Sequence, residues 1–146
     1  MPTTHSLAGG AVSVIAPQVD EETRASRAHR ASIKKFSAAV DSLVQLIGAQ
    51  LTAYIGEVKE TRAVRKWIEG DRAPHPFIQS KIGLALQAAQ ILQEAGEGPV
   101  IDAWFQGLNP ALGDRSPAEL IHDAKKVDFS RVGREILAAA REFVGA

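Results

Sequence analysis

Five side chains within eight residues could work together chemically: Lys59, Thr61, Arg62, Arg65 and Lys66, in and just before the stretch ETRAVRKWIEG (60–70). On a helix, Val64, Trp67 and Ile68 share one face and leave Thr61, Arg62, Arg65, Lys66 and Glu69 on the other. Lys59 falls in the turn before it. Such a helix can read DNA, with polar side chains near its N-terminus against base edges and basic groups on phosphates. An Arg contacting guanine through two hydrogen bonds gives roughly 1–3 kcal/mol of discrimination. Thr61 can meet a thymine methyl or a phosphate at the helix start. The competing reading of the same spacing is a small helical bundle with a solvated basic face.

Other chemistry finds less support. The chain has 146 residues and no Cys, which excludes disulfides and thiolate metal sites and fits a reducing cytoplasm. His5, His29, His75 and His122 are scattered, and none pairs with a second ligand at helical spacing. No Gly-rich phosphate cradle, spaced carboxylate pair or activated nucleophile stands out. The expectation is a non-enzyme without cofactor or metal. No apolar run approaches the roughly 20 residues that span a bilayer. No Lys or Arg precedes the weak apolar patch at 11–16, so a signal peptide is not expected either. Net charge is zero. Residues 1–81 hold 11 Lys/Arg against 8 Asp/Glu, and residues 82–146 hold 6 against 9, so the two halves carry opposite small charges.

The elements that must position these residues read as all-α. Residues 1–22 show no period and contain Gly9-Gly10 and Pro17, which suggests a disordered arm. The segment 23–36 adds five basic residues and no acid. From Phe36 a helical period begins: Phe36, Val40, Leu43, Val44, Ile47. A short helix over Leu51, Tyr54 and Ile55 stops at Gly56, and the 60–70 helix stops at Gly70. Leu51, Ile55 and Val58 should form a seam with Val64 and Trp67, giving a helix-turn-helix. After the loop GDRAPHP, a helix starts near Pro76 with the stripe Ile78, Ile82, Ala85, Leu86, Ala89, Leu92. Gly96 ends it. The expected organisation is a basic arm over 1–35, a helix-turn-helix domain over 36–97 and a second helical domain over 98–146.

The second domain opens with WFQGLNPALGDRSPAELI (104–121). Trp104 and Phe105 point about 100° apart on a helix and need burial. Asn109-Pro110 begins a turn, Leu112 anchors it, and Gly113 suits a positive φ. Ser116-Pro117-Ala118-Glu119 has the form of a capping box, with Glu119 reaching back to the cap. The last helix carries Val132, Ile136, Ala139 or Ala140, and Phe143.

Two resemblances follow from these residues. IGEVKETRAVRKWIEG is similar to the Xre-type helix-turn-helix at Val58, Val64, Trp67 and Gly70. It departs in a longer turn over Glu57–Glu60 and in the acids Glu57, Glu60, Glu69 and Asp71. With residues 48–81 only +2, dimerisation or the basic 23–35 segment must support any DNA binding. Trp104-Phe105, Asn109-Pro110-x-Leu112 and Arg115-x-Pro117-x-Glu119-Leu120 resemble the C-terminal toxin-binding domain of the Xre/MbcA/ParS antitoxins, which follows an Xre-like helix-turn-helix in the same order.

The resemblance implies an antitoxin of a type II toxin–antitoxin system. Its partner would be a RES-domain toxin that consumes NAD or transfers ADP-ribose. The C-terminal part would cover the toxin's NAD cleft, and the helix-turn-helix would repress the antitoxin's own promoter. On the toxin side it implies roles for Trp104 and Asn109, and for an inserted end comprising Glu142, Phe143, Val144 and Ala146. Pairing of Arg134 or Arg141 with a toxin acid is the alternative to that insertion, and the sequence does not choose between them. Arg115 either pairs within its own turn and helix or faces the toxin. A homodimer, or a larger complex with toxin, is expected. The alternative is an Xre-type transcriptional regulator whose C-terminal part only dimerises, and the third reading is a scaffold with no DNA role.

Overall fold

The structure, a computed structural model, describes the backbone of residues 2–145 and the side chains of residues 23–145. The expected contact residue Ala146 lies outside the residues so described, and of the expected arm over 1–22 only the backbone from Pro2 onward is described, as the first part of a helix. Among the described residues there are seven α-helices and no strand: α1 (Pro2–Ile47), α2 (Ala49–Ile55), α3 (Thr61–Glu69), α4 (Pro76–Glu94), α5 (Ile101–Gln106), α6 (Pro117–Asp123) and α7 (Phe129–Phe143). The all-α expectation holds.

The chain divides into two units, residues 1–35 and residues 36–146. Over 23–35 α1 is helical and its side chains are exposed, except for half-buried Ile33. Ala, Arg and Lys are strong helix formers, so this stretch takes helical form without a face to bury. The apolar period that opens at Phe36 marks where α1 enters a core, not where a helix begins. Phe36, Val40, Leu43 and Ile47 are all buried there.

Residues 36–146 share one core, so the boundary expected at 97/98 is a bend and not a break in packing. The reason is α4. The expected stripe at Ile82, Ala85, Ala89 and Leu92 is buried, and so is a second line at Lys81, Leu84 and Ala88. A helix buried on two sides needs partners on both, and α4 packs against α2, α5, α6 and α7.

Local termini follow the sequence closely. Gly48 ends α1 at φ 89. Gly70 closes α3 in the left-handed region, with its N–H on the Trp67 carbonyl and the Asp71 N–H on the Lys66 carbonyl, a Schellman closure. Gly113 has φ 67, as the turn requires. The α6 cap is only half the expected box. Ser116 Oγ accepts from the Glu119 N–H at 3.1 Å, but the Glu119 carboxylate turns to Arg115 instead of reaching back. At the far end, Phe143 departs from its stripe. Val132, Ile136, Ala139 and Ala140 are buried, whereas Phe143 is 49% exposed.

Candidate nucleic-acid interface and apolar groove

The helix-turn-helix seam fixes α3. Ile55, Val64 and Trp67 are buried, with Leu51 and Val58 partly buried against them. The indole of Trp67 packs on Phe36 at 6.0 Å, and Ser37 Oγ donates to the Trp67 carbonyl at 2.8 Å. With its apolar side held from two directions, α3 turns Arg62, Arg65 and Lys66 to solvent, and Thr61 stands half-exposed at its start.

Four of the five expected DNA-contacting residues line one shallow concavity of about 970 Å³: Lys59, Thr61, Arg62 and Arg65. Lys66 is not part of it and pairs with Asp71 at 3.8 Å. The concavity also takes in Tyr54 and, from α6, His122. Sequence reading missed His122 because it lies 68 residues beyond Tyr54, whose carbonyl its Nδ1 meets at 2.6 Å. The two rings stack at 4.2 Å with planes 10° apart. Burial pushes the Tyr54 phenol above its ordinary pKa, with the Asp123 and Glu119 carboxylates adding to it.

Compared with known proteins, the chain matches no family model, no curated protein and no solved structure.

The residues singled out in the C-terminal part divide into two groups. Asn109 and Arg115 build the turn. Asn109 Oδ1 accepts from the Ala111 N–H at 2.9 Å, and the Asn109 N–H donates to the Arg115 carbonyl at 3.1 Å. The Arg115 guanidinium reaches Glu119 at 3.3 Å and also pairs with Asp123. The hydrogen bond to Glu119 leads in pushing its pKa up from the ordinary value. Pairing within its own turn and helix, one of the two roles open to Arg115, is formed.

Of the second group, Trp104 and Phe143 line a groove of about 400 Å³ together with Val100, Leu108, Asn109 and Pro110. Leu108 is 75% exposed and Phe143 half so. Trp104 and Phe105 are both buried and meet edge to face at 5.1 Å. The Trp104 indole nitrogen is buried with no hydrogen-bond partner, the one such side-chain atom among the described residues. Arg134, Arg141 and Glu142 are exposed on α7, and Val144 is half-buried beyond it. Among the described residues no group of three His, Asp or Glu could hold a metal ion, and no helix is long and apolar enough to cross a membrane.

Proposed function

We propose that this chain is an antitoxin of a type II toxin–antitoxin system, acting in the cytoplasm. It binds the operator of its own operon through α3 and neutralises a RES-domain toxin that consumes NAD or transfers ADP-ribose. The observation that carries the reading is two unlike surfaces on one packed unit. One is a concavity at the start of α3, lined by Lys59, Arg62 and Arg65 together with Glu57 and Glu60. The other is an apolar groove lined by Trp104, Leu108, Pro110 and Phe143.

The chemistry of each surface supports its part. Lys59, Arg62 and Arg65 offer three cations to phosphates or guanine edges, and Thr61 offers a hydroxyl at the helix start. A partner seated in the groove covers Leu108 and Phe143, both of which are exposed there. Arg141, Glu142 and Val144, next to Phe143, then form the rim of the contact, with Arg134 further back along α7. The dimerising-regulator alternative assigns the same groove to a second copy of this chain.

The test is co-expression with a RES-domain toxin encoded beside this chain's gene, following cellular NAD. The expected result is a complex that co-purifies and preserves NAD. Phe143→Ala, which removes the half-exposed ring from the groove, should weaken that complex about tenfold, the equivalent of about 1.4 kcal/mol. Co-purification of nothing but a second copy of this chain would select the regulator.

A further inference from the structure

Thr52 and Lys81 are the buried polar side chains of the described residues, and Thr52 satisfies itself on the Gly48 carbonyl. Lys81 is different. It is 1% exposed, and its ammonium joins three segments that are distant in sequence. Nζ donates to Glu57 Oε2 at 2.9 Å and to the His122 carbonyl at 2.6 Å. The same His122 holds the Tyr54 carbonyl through its ring. The Phe77 ring closes the site, its centroid 5.1 Å from Nζ.

A buried ammonium is tolerated only when its partners are held in place. One partner, the His122 carbonyl, lies in the last turn of α6, where carbonyls carry partial negative charge. The other, Glu57, sits in the α2–α3 turn with φ 60, a left-handed conformation that non-glycine residues rarely adopt. The turn is therefore anchored by its side chain to the C-terminal half. Four residues further on the chain reaches Thr61, and Arg62 follows.

We propose that Lys81 is a positioning residue for DNA reading. By tying Glu57 to the end of α6, it sets how the start of α3 is presented, without touching DNA itself. The inference rests on the DNA-binding reading above.

The experiment measures binding of the full chain to duplex DNA from immediately upstream of its own coding sequence. Wild type, Lys81→Met, Glu57→Gln and the double variant are compared by fluorescence anisotropy across a salt series. The temperature is one at which circular dichroism shows every variant folded. Lys81→Met should bind about tenfold more weakly, with an unchanged salt slope because no phosphate contact is lost. Glu57→Gln is the sharper arm. Glu57 lines the α3 concavity, so removing its negative charge would tighten DNA binding by electrostatics alone. Loss of its hold on the turn should instead weaken it. The double variant should be no weaker than Lys81→Met, since both act through one contact. Amide hydrogen exchange over 56–60 should quicken in each. Folded variants that keep wild-type affinity and exchange overturn the proposal, and if Lys81→Met does not fold, Glu57→Gln decides alone. A wild-type chain that fails to bind the duplex overturns the DNA reading, and this inference with it.

Discussion

Gly56 shows how one missing atom lets the helix-turn-helix close. Its φ of −81 is open to any residue, so conformational freedom is not what the site needs. It needs space: a Cβ there would stand 2.8 and 2.9 Å from Cη2 and Cζ3 of Trp67. That indole is 2% exposed and bears on Phe36, so it cannot swing away cheaply. Gly56→Ala should lower stability by about 1–3 kcal/mol, as overpacking of a filled core does. Gly83 makes the control. It lies inside α4, and nothing stands within 4 Å of a Cβ built there. Gly83→Ala should raise stability by about 0.5–1 kcal/mol through helix propensity. Urea unfolding of both variants checks the pair, and equal effects of one sign would remove the steric argument.

At the scale of elements, α3 was legible because its polar and apolar residues separate cleanly over barely three turns. α4 was only half legible. Its first stripe was plain, but Lys81 occupies an apolar line with Leu84 and Ala88, and a lysine there reads as solvent-facing until its distant partners are known. The loop before α6 teaches a similar point. Ser116 and Glu119 have the spacing of a reciprocal cap, and Arg115 breaks it by offering Glu119 a stronger, charged partner at 3.3 Å. The two halves of the motif should thus respond differently. Ser116→Ala removes the cap to the Glu119 N–H and should cost about 0.5–2 kcal/mol. Glu119→Gln gives up only an exposed ion pair and should cost about 0–1 kcal/mol. Thermal melts separate these, and a larger loss from Glu119→Gln would restore the reciprocal cap.

At the scale of the whole molecule, a zero net charge means that no overall charge steers this chain toward DNA from a distance. Whatever electrostatic affinity it has must come from few, local cations, and the salt dependence of binding counts them. Lys59, Arg62 and Arg65 line the α3 concavity, while Lys66 is engaged with Asp71. If each of the three neutralises one phosphate, the logarithm of the binding constant should fall with log salt at a slope of about −3 for a single copy. Two copies on a symmetric site, six contacts at roughly −0.9 each, should bring it to about −5.4, and the exposed arginines at 24, 27 and 30 would steepen it further. Substituting Arg62 and Arg65 by Ala should then flatten the slope by about two in the first case and about four in the second. Substituting Arg24, Arg27 and Arg30 by Gln asks separately whether the basic stretch of α1 takes part. A slope near zero in the wild-type chain would mean that the α3 face is only a solvated surface, and it would move the search for a contact to the apolar groove around Trp104.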